Sequence, residues 1–403
     1  MRLGRLAVDA ISIDGALVQY LSGTASLSVM PKLQFTAEDL QKELADIVAR
    51  RVRAATRLRE WDDAPPAHGQ RELVLARGKM RLFRYRAPAN VVRSIPVLMV
   101  YALVNRPYMA DLMPGCSLIA ELQARGLEVY LIDWGAPDAG DAGRTLADYI
   151  AHDMDACVDL LRAEQGCEKV NLFGICQGGT FSLCYSALNP DKVDHLITTV
   201  TPVDFQTPDD LLSHLLREVD VDALVDAWGN IPGELLNAVF LAQKPFQLGQ
   251  QKYADFVAAI DDDAASAMFL AMEKWIFDSP ALAGAAFREF AQGCYQQNAL
   301  MKGQLRVGPA TVDPGCVTMP VLNIFAARDH LVPPASSRAL AGLVRTLDYT
   351  ELELPGGHIG IYVSPRPRTL LANAVAEWLK TRSGQDLTGR GKSRSRRARR
   401  KEK

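Results

Sequence analysis

The stretch "NLFGICQGGTFS" (residues 171–182) decides how the rest of the chain is read. A short apolar run leads into Gly174, Cys176 stands two residues on, and Gly178 and Gly179 follow. Gly-x-Cys-x-Gly at the end of a strand repeats the sharp strand-to-helix turn that presents a nucleophile, with sulfur where serine is usual. So tight a turn admits only small residues beside its tip, which gives Gly174 and Gly178 a steric reason to be there, and Gly179 is the third glycine of the turn. The helix that follows favours an anionic sulfur through its N-terminal dipole. The backbone N–H of Gln177, next after the tip, is placed to donate to a developing oxyanion. A buried cysteine in a glycine-rich turn is the alternative, and this stretch alone leaves both readings open.

Outward from the turn, strands and helices alternate. "ELVLA" and "MRLFRYR" read as a hairpin around Gly78. "PVLMVYALV" and "LEVYLI" are nearly continuous apolar runs, as in strands covered on both faces. Thr145 and Asp148 signal the start of a helix that buries Leu146, Ile150, Met154, Val158 and Leu161. "LITTV", "VLNIFA" and "YTELEL" supply further strands, and "LLANAVAEWLK" a closing helix. The alternation predicts a doubly wound, mostly parallel α/β sheet. It breaks at residues 204–315, where helix-period patterns suggest a mainly helical lid over the carboxyl edge of the sheet, the edge where ligands bind in such folds. The expected organisation is an extension (1–30), a helical segment (31–71), a core (72–203 and 316–380) around that lid, and a disordered tail (381–403). The helical pattern "TAEDLQKELADIVARRVRAA" begins after Met30, which makes Met30 a candidate initiator.

Two later stretches favour the catalytic reading of Cys176. "FAARDHLVPP" sets Asp329 just past an apolar strand, and "LPGGHIGIYV" sets His358 in a glycine-rich loop after the next one. The order nucleophile, acid, histidine, with spacings of 153 and 29 residues, is that of the α/β-hydrolase fold carrying a large insertion. His358 is then the base for Cys176, and Asp329 fixes its tautomer. The second oxyanion donor is expected from "ALVNRPY", at the amide of Val104 or Asn105. His330 either touches substrate or packs. Tyr101, Trp134 and Trp275 are read as packing residues.

Composition sets the outer limits. The 403 residues are 48% apolar, enough for a substantial core. Seven scattered cysteines without paired C-x-x-C spacing suggest neither a disulfide framework nor a metal site, and a reducing cytoplasm is expected. No run approaches the roughly 20 apolar residues of a membrane span, so a soluble chain is expected. Residues 390–403 hold nine Arg or Lys and one Glu, a net +8 that leaves −10 on the remainder. Such a tail is expected to make weak, salt-sensitive polyanion contacts rather than a specific nucleic-acid site.

The segments "VYALVNRPYMADL", "VYLIDWG", "VNLFGICQGG", "TPVDFQTPDDLL", "GNIPGELLN", "MEKWIFDSP", "NIFAARDHLVPP" and "PGGHIGIYVS" together resemble the catalytic subunit of class III polyhydroxyalkanoate synthases over residues 70 to 380. The resemblance implies polymerisation of (R)-3-hydroxyacyl-CoA, 3-hydroxybutyryl-CoA foremost, with the growing polyester carried as a cysteine thioester and CoA as the leaving group. No cofactor is implied. It further implies a homodimer, a second non-catalytic subunit and residence on cytoplasmic polyester granules. Cys176, Asp329 and His358 fall on the family's catalytic positions, with Asp329 either orienting His358 or activating the incoming hydroxyl. Asn105 and His330 are candidate substrate contacts. The competing expectation is a cysteine hydrolase acting on a small ester or lactone.

Overall fold

The computed structural model describes residues 37–59, 70–88 and 95–383. The expectations for residues 1–30, for Met30 and for the basic tail beyond residue 383 lie outside the described residues. The chain divides into two compact units, residues 1–56 and 57–403. The helix α1 (Ala37–Arg59), 23 residues long, belongs to the first unit up to Thr56, with Glu38 and Asp39 in its first turn and Arg57 and Arg59 in its last, each complementing the helix dipole.

The second unit is built on an eight-stranded sheet. Its strands are β1 (Glu72–Arg77), β2 (Met80–Tyr85), β3 (Ile95–Val100), β4 (Leu127–Asp133), β5 (Val170–Ile175), β6 (Val193–Thr199), β7 (Val321–Ala326) and β8 (Tyr349–Leu354). Their order across the sheet is β1-β2-β4-β3-β5-β6-β7-β8. β2 runs antiparallel to both neighbours, and every other pairing from β4 to β8 is parallel, the doubly wound arrangement that the alternating pattern predicts. The apolar run 96–104 is longer than its strand because the chain leaves the sheet after Val100.

Side chains alternate across the pleat, so each central strand feeds two cores. Val97, Met99, Val129, Leu131, Phe173 and Ile175 face one side, against α2 (Leu118–Ala124) and the long C-terminal helix Pro365–Ser383. Leu98, Val100, Tyr130, Ile132 and Leu172 face the other, against α3 (Met154–Gln165) and α4 (Gln177–Leu188). Fully burying each such aliphatic or aromatic side chain is worth about 1.5–3 kcal/mol, so the double cover concentrates burial energy on the central strands. The helix signalled at Thr145 does form, with Thr145 and Asp148 hydrogen-bonded to each other, but its first stretch, Asp148–Asp153, is wound as a π-helix before α3 begins.

Between β6 and β7 lie α5 (Leu211–Arg217), α6 (Val221–Trp228), α7 (Gly233–Ala242), α8 (Lys252–Ala258), α9 (Asp263–Phe277) and α10 (Gly284–Phe290). Aspartates at 210, 220 and 262 cap α5, α6 and α9 by accepting from the third helical amide. Two further π-helical turns, Phe246–Gln251 and Ala291–Gln296, interrupt the run. A small ribbon, Leu305–Val307 with Ala310–Val312, closes the insertion.

Candidate active site

Of the four non-glycine residues with positive φ among the described residues, three lie at the carboxyl edge of the sheet. Asn105 follows β3, Cys176 follows β5 and Val200 follows β6, with φ of 60°, 54° and 43°. Such conformations cost of order 1–3 kcal/mol each in a residue with a side chain, and they persist where the surroundings dictate them. At Cys176 (ψ −125°) the surroundings are explicit. Its N–H donates to the Thr199 carbonyl at 2.9 Å, and its own carbonyl accepts from Gly179 at 2.8 Å.

All three glycines of the turn are in forced contact. A Cβ on Gly174 would lie 2.3 Å from the Gly179 Cα, one on Gly178 would lie 2.1 Å from the Val100 carbonyl oxygen, and one on Gly179 would lie 1.8 Å from Thr201 Oγ1. The turn therefore brings α4 onto the ends of β3 and β6 as closely as backbones allow, and leaves the Cys176 side chain pointing off the sheet.

His358 and Asp329 arrive from the loops after β8 and β7. His358 Nδ1 donates to Asp329 Oδ2 at 2.7 Å, with both residues buried. Asp329 Oδ1 accepts from the amides of Leu331 and Val332 at 2.9 and 3.0 Å, so the carboxylate is held at both oxygens. Burial of the His358 ring acts against its protonation. The Asp329 carboxylate and Cys176 outweigh that, through charge and hydrogen bonding, and hold its pKa well above the ordinary 6.5. The structure thus brings Cys176, His358 and Asp329 together.

Gln177 occupies the first position of α4, where a backbone N–H has no intrahelical acceptor, and it flanks Cys176. Its side chain has a second task that spacing does not reveal: Oε1 accepts from the Leu103 amide at 3.0 Å and ties the loop after β3 to the turn. The same loop is braced by two indoles, since Trp134 Nε1 donates to the Tyr101 carbonyl at 2.9 Å and Trp275 Nε1 to the Arg106 carbonyl at 2.8 Å. These tryptophans pack, as expected, and they also position Val104. The sequence signal was available in principle, because a buried indole N–H needs an acceptor. Asn105 lines the same space, but its amide nitrogen is committed to Ser279 Oγ at 2.7 Å and the Ile276 carbonyl at 3.4 Å. It therefore ties the loop to the insertion.

Cys176, His358, Val104 and Gln177 open onto a cavity of about 600 Å³. Its far wall comes from the insertion, including Leu212, Leu216, Leu235, Leu236, Phe240, Phe287 and Phe290, and is overwhelmingly apolar. His330 also lines it. Burial, helped by Lys244 and His358 and opposed by Asp329, lowers the His330 pKa and keeps the ring neutral. Its buried Nε2 meets no protein partner among the described residues.

The chain matches the family model of the alpha/beta hydrolase fold over residues 95–365. It is 54% identical to the poly(3-hydroxyalkanoate) polymerase subunit PhaC of Allochromatium vinosum, over 77% of this chain and 88% of that one. It is 47% identical to the subunit of the same name from Thiocystis violacea, over 88% of this chain and all of that one. The corresponding subunit of Synechocystis is 49% identical, over 80% of this chain and 87% of that one.

Proposed function

The chain belongs to the family of poly(3-hydroxyalkanoate) polymerase subunits, and on that premise we propose that it polymerises (R)-3-hydroxyacyl-CoA into polyester through a thioester on Cys176. The enzyme is an acyltransferase, and 3-hydroxybutyryl-CoA is the substrate we assign to it. The observation that carries the thioester is the joint placement of Cys176, His358 and Asp329 at the floor of an apolar cavity.

His358 takes the proton of Cys176, and the sulfur attacks the acyl carbonyl of the CoA thioester. The amides of Gln177 and Val104 hold the resulting oxyanion. As the carbon–sulfur bond to CoA breaks, His358 returns the proton to the departing CoA sulfur. The hydroxyl of a second acyl group then gives its proton to His358 and attacks the Cys176 thioester. An ester forms, and the Cys176 sulfur leaves and is reprotonated. Asp329 serves this cycle by orienting His358, because both of its oxygens are already engaged.

Sulfur suits the task. Transfer from the sulfur of CoA to that of Cys176 is close to thermoneutral, so loading and onward transfer both remain accessible. A serine ester would lie lower and release its acyl group more reluctantly. The apolar wall of the insertion keeps water away from the thioester and so favours a hydroxyacyl acceptor over hydrolysis. Among the described residues no helix is long and apolar enough to cross a membrane. A station at the surface of a polyester granule, and work with a second subunit, belong to the same proposal.

The test is to give the purified full chain 3-hydroxybutyryl-CoA, with and without the second subunit, and to follow thiol release and chloroform-soluble polymer together. Polymer in step with thiol supports the reading. Free hydroxy acid in step with thiol would instead identify a cysteine hydrolase.

A further inference from the structure

The loop after β3 is held from two sides, with Val104 between them. On the side of the turn, Gln177 Oε1 accepts from the Leu103 amide. On the other side the ties come from the end of α9 and the residues just past it. Trp275 Nε1 donates to the Arg106 carbonyl, Arg106 Nε donates to Asp278 Oδ1 at 3.3 Å, and Asn105 Nδ2 donates to Ser279 Oγ at 2.7 Å. Ser279 is itself anchored within the insertion. Its Oγ donates to Asn237 Oδ1 at 3.0 Å, and Asn237, buried on α7, donates through Nδ2 to the Ile276 carbonyl at 2.6 Å. The backbone is fixed as well, because a Cβ on Gly233, the first residue of α7, would lie 2.2 Å from the Ser279 carbonyl oxygen. Just beyond, Ile231 and Leu282 form a β-bridge with bonds of 2.8 Å in both directions.

Asn105 meets this fixed point with a φ of 60°, which asparagine tolerates better than most residues and glycine better still. The turn alone would be served by glycine; the asparagine side chain is what reaches Ser279. We propose that Ser279 is a positioning residue for acyl transfer: through Asn105 it holds the Val104 amide where the oxyanion forms, so that the insertion completes the oxyanion hole. The inference rests on the reading above, in which Gln177 and Val104 supply the two donors. The glycine turn fixes the first donor and the insertion fixes the second. A donor stabilises a developing oxyanion to the extent that it is already in place when the charge appears. Releasing Asn105 from Ser279 therefore slows the step in which a carbonyl oxygen gains charge, and leaves the nucleophilicity of the Cys176 sulfur as it is.

The test compares two reactions of Cys176 in the full chain, each followed by the mass of the peptide that carries it. Acylation by p-nitrophenyl butyrate forms the sulfur–acyl bond, expels p-nitrophenolate and passes through an oxyanion. Alkylation by iodoacetamide displaces iodide at a saturated carbon and forms none. Asn105→Gly keeps the left-handed backbone without strain and removes both side-chain bonds. It is expected to slow acylation about 10²-fold, the loss typical of one oxyanion donor, with alkylation at its native rate. Ser279→Ala leaves Asn105 its weaker bond to the Ile276 carbonyl and is expected to slow acylation by up to about tenfold, again with native alkylation. Native acylation rates in these variants would overturn the proposal. Equal losses in the two reactions would also overturn it, because they mark a general disturbance of the site. If Asn105→Gly fails to fold, Ser279→Ala decides alone. A native chain that is acylated by the ester but makes no polymer from 3-hydroxybutyryl-CoA would sink the polymerase reading and leave the role of Ser279 to be decided by the variants.

Discussion

The turn at Cys176 and the helical insertion opposite it form two walls of one cavity, and they are made in different ways. Around Cys176 the geometry is set by backbone against backbone at Gly174 and Gly178 and by the buried Thr201 side chain at Gly179, with each of the three glycines in a space that holds no further atom. Across the cavity the wall is a collection of leucines and phenylalanines on short helices, with π-helical turns between them and large apolar groups such as Trp228 and Phe246 exposed on its outside. Gly249, within one of those turns, has nothing near the place a Cβ would occupy. Changes on the first wall should act as switches, because no side-chain adjustment relieves a backbone clash. Changes on the second should act by degrees, because aliphatic groups repack.

The largest effect expected is at the tip of the turn. Cys176→Ala should lower thiol release from 3-hydroxybutyryl-CoA by about 10⁴-fold or more while leaving the fold intact, since it removes the group on which the covalent cycle depends. Activity surviving this change would move the chemistry elsewhere and dissolve the contrast between the walls. Next in size is Gly178→Ala. The added methyl would meet the Val100 carbonyl at 2.1 Å, and the sheet must open to admit it. A loss of about 3 kcal/mol or more in urea unfolding is expected. Gly249→Ala, at an exposed position within the insertion, should be neutral or stabilise by up to about 1 kcal/mol through helix propensity. Equal losses at the two glycines would show that the insertion is as intolerant of added atoms as the turn.

A smaller, pH-dependent effect sharpens the same contrast. The folded protein holds the proton of His358 above the pH at which an unfolded histidine loses it. Between those two points the native state binds more protons than the unfolded one, so stability falls as pH rises. The contribution is complete below the ordinary value of 6.5 and is lost as pH passes the raised one. The slope is at most about 1.4 kcal/mol per pH unit for one proton. Urea midpoints measured from pH 6.5 upward should show this decline in the native chain and a weaker one in Cys176→Ala, because Cys176 contributes to the raised value. Identical pH profiles would mean that the sulfur and the ring do not interact in solution.

What the residues revealed in advance follows the same division. The turn was legible because its glycines and cysteine are close in sequence and their spacing is a steric requirement. Asp329 and His358 were legible because each lies at the end of an apolar strand whose place in the sheet follows from the chain order. The task of the Gln177 side chain was not legible, because it reaches Leu103, 74 residues away, and no local pattern encodes that contact. The same holds for Trp275 on the Arg106 carbonyl. Asn105, a candidate substrate contact, does line the cavity, but its bond to Ser279, 174 residues away, is likewise encoded in no local pattern. The π-helical start at Asp148 was missed because an α-helix and a π-helix bury nearly the same apolar positions over so short a span.

The smallest effect expected lies on the apolar wall, and it is the one that tests whether that wall meets substrate at all. Leu236 is only partly buried and lines the cavity on α7, whereas Leu172 is fully buried in the central strand β5. Leu172→Ala should cost about 2–5 kcal/mol of stability, as truncations in a packed core do. Leu236→Ala should cost about 1 kcal/mol, because the side chain faces open space and its neighbours can shift. Its effect belongs to selectivity instead. Removing part of the wall makes room beside the acyl group, and one methylene buried there is worth about 0.8 kcal/mol, or roughly fourfold. The kcat/KM for 3-hydroxyvaleryl-CoA relative to 3-hydroxybutyryl-CoA should therefore rise about fourfold in Leu236→Ala, with thiol release from the shorter substrate little changed. Phe240→Ala, on the same helix, should move the ratio in the same direction. If neither changes the ratio while both reduce stability, the insertion serves only to keep water out, and discrimination between acyl chains must be set at the rigid wall around Cys176.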